Sequence, residues 1–240
     1  MKTIFLPETD STNNYVKTHM AELSHLTFVT AERQTNGRGR LNRKWIDSGD
    51  DNLFLTIVIK PDKNVKKIYY PCFTQYLSVI LAMTLEEIYE ITPEIKWPND
   101  VLIKGRKIAG ILAEGTTKGT TFMGLALGIG VNLNTPPESL KAIDKPATSL
   151  FNETGTKIDK QIFFNQLSNK FCLLYDRYVC EGFKFIKDYY ESKSEFLTKE
   201  ISINVLGETH TGIAERITDD GALVLNENNT ENIYYIGDIL

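Results

Sequence analysis

The sequence predicts an α+β protein, with a mixed, largely antiparallel sheet flanked by helices and a small β-barrel towards its C-terminal end. Three observations lead there. Strand-like segments at 94–97, 100–103, 107–114 and 121–131 follow one another, with Lys104-Gly105 and Lys118-Gly119 as tight turns. Strands joined so closely must run antiparallel. From residue 199 the chain changes to short β runs at 201–206, 211–217, 222–225 and 233–236, separated by turns rich in Gly, Asp and Asn. Neither GxGxxG nor GxxxxGK[ST] occurs, which removes the usual dinucleotide and P-loop folds. The expected division is one domain over 1–196 and the barrel over 197–240.

A chain of 240 residues with 42% apolar and 24% charged side chains can bury an ordinary globular core. Its apolar runs all fall short of the roughly 20 residues a membrane span needs, and Met1 leads directly into a strand-like Ile4-Phe5-Leu6 with no signal peptide between. A cytoplasmic protein without a membrane partner is expected. Cys72, Cys172 and Cys180 are odd in number, lack CxxC spacing and sit in apolar-periodic segments, which predicts reduced, buried thiols. His19, His25 and His210 fall in separate elements, against a His-based metal site or a Ser/His/Asp triad. Any chemistry is left to Lys, Arg and backbone dipoles.

Taken in order, Asp10, Ser11 and Thr12 are candidate caps for a helix with Tyr15, Val16, Met20 and Leu23 on its apolar face. Strands are expected at 28–31 and 52–60, with a loop between them. Within 66–90 the spacing of Phe73, Leu77, Ile80, Leu81, Leu85 and Ile88 predicts a core helix. Residues 134–150 read as a proline-bearing connection, followed by helices at about 158–178 and 181–194.

Three stretches can carry chemistry. The loop RQTNGRGRLNRKW (33–45) holds five cations and no acid, although the whole chain carries −4. Gly37 and Gly39 let its backbone approach an anion, and Arg38, Arg40 and Arg43 supply forked donors; a solvated surface loop is the plainer alternative. In KWPNDVLIKGRKIAG (96–110), Pro98 makes a turn that leaves Asn99 and Asp100 at a strand end. Alternation then sets Lys107 and Ala109 on one strand face and Ile108 and Gly110 on the other. A strand lysine can equally be edge protection. In GLALGIGVNLN (124–134), Gly128 and Gly130 share a face with Asn132 following in register, which suits close approach of a ligand or, alternatively, a bulge or a packed helix.

Together these motifs resemble the biotin protein ligases. The resemblance runs through Asp10-Ser11-Thr12-Asn13, Gln34, Gly37-Arg38-Gly39-Arg40, Arg43-Lys44-Trp45, Asn52-Leu53, Lys96-Trp97-Pro98-Asn99-Asp100, Arg106-Lys107, Ala109-Gly110-Ile111-Leu112 and Gly128-Ile129-Gly130-Val131-Asn132. Gly212-Ile213 and Asp220-Gly221-Ala222-Leu223 extend it into the terminal strands. It implies a catalytic domain related to the class II aminoacyl-tRNA synthetases and an SH3-like terminal barrel. The implied activity uses biotin and ATP, with Mg²⁺, to make biotinyl-5′-AMP and to transfer biotin to a lysine of a biotin carboxyl carrier domain.

By the same resemblance, Lys107 and Arg40 are the catalytic pair. Biotin falls to Ser11, Thr12, Asn13, Gln34, Gly37, Arg38, Gly39, Arg40, Lys107, Gly110, Gly128 and Gly130. The nucleotide falls to Arg38, Arg40, Arg43, Trp45, Asn99, Lys107 and Asn132. No metal ligands are assigned. The 34–51 loop is expected to order around its anion, and a homodimer is compatible with the family. Two departures stand out: Leu41-Asn42 replaces a second glycine pair, and the ligase pattern begins within ten residues of Met1, leaving no room for the DNA-binding domain of some relatives. No nucleic-acid partner is therefore expected, in line with the acidic balance. A lipoate ligase-type adenylating enzyme and an anion- or RNA-binding module are the alternatives.

Overall fold

The structure is a computed structural model that describes residues 1–45, 52–62, 70–141 and 145–240. In chain order its elements are β1 (Lys2–Thr9), α1 (Thr12–Thr18), β2 (Thr27–Gln34), β3 (Leu53–Ile59), α2 (Phe73–Tyr89), β4 (Glu94–Lys96), β5 (Asp100–Ile103), β6 (Arg106–Lys118) and β7 (Thr121–Val131). They continue with α3 (Pro137–Leu140), α4 (Leu150–Thr154), α5 (Lys160–Glu181), α6 (Lys184–Ser192), β8 (Glu200–Val205), β9 (Glu208–Ile217), β10 (Leu223–Glu227), β11 (Thr230–Tyr234) and β12 (Asp238–Ile239). Residues 46–51 of the expected loop, 66–69 at the expected start of the core helix and 142–144 of the proline-bearing connection lie outside the described residues.

Two compact units form, Met1–Lys63 with Gly105–Ser168 and Asn64–Lys104 with Asn169–Leu240, the division falling within α5. In the first, five strands lie in the order β1-β2-β3-β7-β6. Only β1 with β2 is parallel among them; β2–β3, β3–β7 and β6–β7 are antiparallel, as the hairpins predict. The helix α1 crosses β2, β3, β6 and β7 and buries Val16, joined by Met20 and Leu23 beyond its end, against Val29, Val58 and Ala126. An amphipathic helix seven residues long holds its shape through this burial, since propensity alone would not keep so short a helix formed.

The second unit packs α2 on α6 and on the β4–β5 hairpin, beside a five-stranded antiparallel sheet ordered β11-β10-β9-β8-β12. That order is linear, so the barrel expected at the C-terminal end is an open ladder of hydrogen bonds. Its core is aromatic: Phe73, Tyr76, Phe171, Tyr175 and Tyr178 stack or meet edge to face at 4.2–6.3 Å. The turn before β10 is tied down by one carbonyl, Gly221 O, which accepts from Gln75 Nε2 at 2.8 Å and Trp97 Nε1 at 3.2 Å. Trp97 is 2% exposed, so its indole N–H has no route to water and needs that acceptor.

Several expectations are corrected. Only Cys72 is buried; Cys172 is half-buried and Cys180 is exposed, all three as free thiols. The helix explains it: Cys180 follows buried Tyr178 by two residues, roughly 200° round the axis, and so faces outward. Ile88 shares the face of buried Leu77 and Leu81 but sits in the last turn of α2, and it is 39% exposed. The connection at 134–150 contains two short helices, α3 and the start of α4, and the last expected strand sits earlier, at Thr230–Tyr234.

Candidate active site

The paired glycines of β6 and β7 make a floor in the first unit. Gly110 lies opposite Gly130, Leu112 opposite Gly128 and Glu114 opposite Ala126. Residues two apart on a strand share a face, so the three glycines and Glu114 line the same side of the sheet.

One end of this floor is covered by neutral polar groups. Ser11, Thr12 and Asn13 are each only 4% exposed. Ser11 stands at the N-cap of α1 but its hydroxyl makes no capping bond, contrary to the simplest role for it. Thr12 donates from its backbone N–H and its hydroxyl to Gln34 Oε1, at 2.8 and 3.1 Å. The Thr56 hydroxyl, fully buried in β3, lies 2.8 Å from Thr12 Oγ1 and 2.7 Å from Asn13 Oδ1. Asn13 Nδ2 donates to Leu112 O at 3.1 Å and Glu114 Oε2 at 2.9 Å. A Cβ on Gly128 would stand 2.1 Å from Asn13 Oδ1, so this glycine makes room for the Asn13 amide, where the sequence suggested room for a ring.

The cationic loop folds back on itself. Gly39 N–H donates to Arg43 O at 2.7 Å and Trp45 N–H to Gly37 O at 2.9 Å, around a short 3-10 turn at Arg40–Asn42. Leu41 holds φ at 53°, a region that glycine enters freely and leucine does not, so the departure from a glycine pair carries local strain. Arg38 is fastened: its Nη2 lies 3.4 Å from both Glu114 carboxylate oxygens and donates to Asn14 Oδ1. Lys17 Nζ reaches the same carboxylate at 2.7 Å. Burial works against the Glu114 charge, yet hydrogen bonds from Lys17 and Asn13 and the charges of Lys17 and Arg38 outweigh it and hold the carboxyl below its ordinary range. Arg40 is half-buried, whereas Arg43 and Lys44 are exposed.

At the other end Trp45 and Lys107 meet. The indole lies on Gly130, where an added Cβ would come within 2.6 Å of Cε2, and on Gly110, where it would come within 2.9 Å of Cζ3. Lys107 Nζ is 5.7 Å from the ring centroid. The lysine's backbone is braced: its N–H donates to Pro146 O and its carbonyl accepts from Thr148 N–H, both at 2.9 Å. Buried Asn132 completes the brace, donating from Nδ2 to Thr148 O at 3.1 Å and accepting from Leu150 N–H at 3.0 Å. This holds Lys107 in place, and edge protection is not needed to account for it.

Thus Ser11, Thr12, Asn13, Gln34, Gly37, Arg38, Trp45, Lys107, Gly110, Gly128, Gly130 and Asn132 gather in one unit. Gly39 sits in the loop, where an added Cβ would make only ordinary contact with Arg43 at 3.6 Å, and Asn99 belongs to the second unit. Sequence reasoning missed Lys17, Thr56 and Glu114. Thr56 could have been noticed as the one hydroxyl in the apolar run LFLTIVI, and Glu114 as an acid ending IAGILAE on the glycine face. Chemically, the site offers a flat apolar shelf, a neutral hydrogen-bonding end and cations at the rim. Such a site suits a molecule with a polar-edged ring and an anionic tail.

Residues 5–132 match the family model for the Biotin/lipoate A/B protein ligase family. The chain belongs to that family. Within it, the Paracoccus denitrificans biotin–[acetyl-CoA-carboxylase] ligase is 34% identical over 224 residues, 92% of either protein. The Bacillus subtilis bifunctional ligase/repressor BirA is 34% identical over 217 residues, 89% of this chain; the chain spans 65% of that relative's length. The solved biotin protein ligase from Aquifex aeolicus in complex with biotin and ATP superposes with a TM-score of 0.85 at 28% identity, covering 100% of this chain and 97% of that one. Both parts of the ligase-family fold, the mixed sheet with its helices and the terminal antiparallel strands, therefore have counterparts in a solved member.

Proposed function

We propose that the chain is an ATP-dependent biotin protein ligase that acts on a biotin carboxyl carrier domain. One observation carries this beyond family membership: Lys107, braced by Asn132 and Thr148, stands over a glycine shelf whose far end is lined by Thr12, Asn13 and Gln34. Neutral donors and acceptors there suit a ureido group, which would be costly to bury unpaired. The shelf takes the fused ring and directs the carboxylate towards Lys107.

In the first step a biotin carboxylate oxygen attacks the α-phosphorus of ATP, a new O–P bond forms, and the bond to the pyrophosphate oxygen breaks. Lys107 lowers the repulsion between the two anions as they are brought into line, and the arginines of the loop, Arg40 foremost, offset the charge that builds on the phosphates. In the second step the carrier lysine's neutral amine attacks the acyl carbon, AMP leaves with the bonding pair, and the amine proton is lost. Trp45 is assigned to the nucleotide. Mg²⁺ would arrive on the ATP phosphates; among the described residues no three His, Cys, Asp or Glu side chains gather to hold it.

The same reading gives residues 1–196 the adenylation chemistry and 197–240 an accessory set of antiparallel strands, in a cytoplasmic protein that works without nucleic acid. Among the described residues no helix is long and apolar enough to cross a membrane. The deciding experiment is pyrophosphate release on mixing protein and ATP with biotin or with lipoate. Release that depends on biotin is the expected result, and release that depends on lipoate, or on neither, overturns the proposal.

A further inference from the structure

The indole of Trp45 rests on the part of the floor that a fused ring needs. It covers Gly110 and Gly130, which pair across β6 and β7, and it approaches both closer than any side-chain carbon on them would permit. Gly130 is the tighter contact, at 2.6, 2.8 and 2.9 Å from Cε2, Cζ2 and Nε1. Two rings cannot share this shelf. The indole is also incompletely satisfied there: Nε1 is buried and has no hydrogen-bond partner, which opposes its stay. Its hold comes from apolar contact, from the backbone bond Trp45 N–H to Gly37 O, and from Lys107 Nζ at 5.7 Å over the ring.

The loop has a second, separate anchor. Arg38 is held by Glu114 and Asn14 two residue pairs along the same floor, so the indole can lift from the shelf while that fastening persists. Gly37, whose added Cβ would meet Trp45 O at 2.8 Å, precedes Arg38 and packs against the backbone of Trp45.

We propose that Trp45 is an intramolecular competitor for the ring subsite, displaced when the fused ring of the substrate takes the Gly110–Gly130 shelf. This rests on the biotin-ligase reading and deepens it. The competition lowers the apparent affinity for biotin by the fraction of molecules in which the shelf is open, and it returns the indole to the rim, where an aromatic face can cover the nucleotide.

Trp45 and Trp97 are the only tryptophans, so protein labelled with 5-fluorotryptophan gives two ¹⁹F resonances, assigned with Trp45→Phe. Biotin alone, without ATP, is expected to move the Trp45 resonance and leave that of buried Trp97 in place. By calorimetry, Trp45→Ala is expected to bind biotin more tightly, by about tenfold if the indole covers the shelf nine-tenths of the time; Trp45→Leu serves should the alanine variant melt early. A Trp45 resonance unmoved by saturating biotin, or biotin binding that is unchanged or weaker in the folded variants, overturns the proposal. Biotin-dependent pyrophosphate release from the unsubstituted protein separates the two readings. If release occurs while Trp45 stays put, only the competitor falls; if biotin neither binds nor supports release, the ligase reading itself falls.

Discussion

Where β3 crosses the first unit, a fully buried threonine stands among leucine, phenylalanine, isoleucine and valine, and three glycines line β7 beside it and β6 beyond. In the second unit the buried side of α2 meets a stack of phenylalanine and tyrosine rings. The aromatic stack fills its volume with apolar carbon, which is how a core gains most of its stability. The glycine floor gives up that volume and sets amides and hydroxyls in the space, each needing a specific partner. Stability and chemistry are thereby assigned to different buried surfaces, and substitutions can tell them apart.

The largest effect is expected in the stack. Phe73→Ala should cost about 3–5 kcal/mol of stability, seen as a fall in melting temperature, while the folded fraction keeps its KM for biotin. A raised KM at unchanged melting temperature would erase the contrast. On the floor, Lys107→Ala should lower the rate of biotin-dependent pyrophosphate release by about 10²–10³ with little change in melting temperature. Equal losses of rate and stability would mean that Lys107 belongs to the scaffold. Gly128→Ala drives a methyl group against the Asn13 carbonyl and should raise KM for biotin by up to about 10²-fold, checked by steady-state kinetics; a normal KM would show that Asn13 has no part in the ring's polar end.

Two smaller tests follow. The Glu114 carboxyl is held below its ordinary range, so its contribution to stability is present above the unfolded-state pKa and is lost as pH falls through the folded one. Glu114→Gln should therefore narrow the gap in melting temperature between neutral pH and pH values below the ordinary carboxylate range, compared with the unsubstituted protein. An identical acid profile would discount the Lys17 and Arg38 pairs. Smallest, Leu41→Gly relieves a positive φ and should stabilise the loop by about 1 kcal/mol at most, read as slower proteolysis within residues 33–45.

Much of the fold could be read from local pattern. Alternation and turn chemistry placed the β6–β7 hairpin, and periodicity placed α2 and α5. The parallel pairing of β1 with β2 and the insertion of β7 between β3 and β6 are non-local, and no periodicity encodes them. Around the floor, Lys107 and the glycines stood out by residue type, whereas Thr12 and Gln34 were singled out only through the family resemblance. Glu114 and Thr56 were not, since their roles depend on Lys17 and Asn13, brought near by the packing of α1, and for Glu114 also on Arg38 from the loop after β2. The landing of Trp45 on Gly110 and Gly130 was hidden too: the glycines signalled close approach but not by what. Cys180 shows the reverse failure, an apolar-looking residue turned outward by helical geometry.

The Gly221 carbonyl, which receives both Gln75 and Trp97, makes the terminal strands more than an appendage to the KWPND turn. A chain shortened before residue 200 would take away the acceptor shared by Gln75 and by the tryptophan that leads into Pro98 and Asn99. Any minimal version of this protein made for use as a labelling reagent must therefore keep its last forty residues or replace that single acceptor.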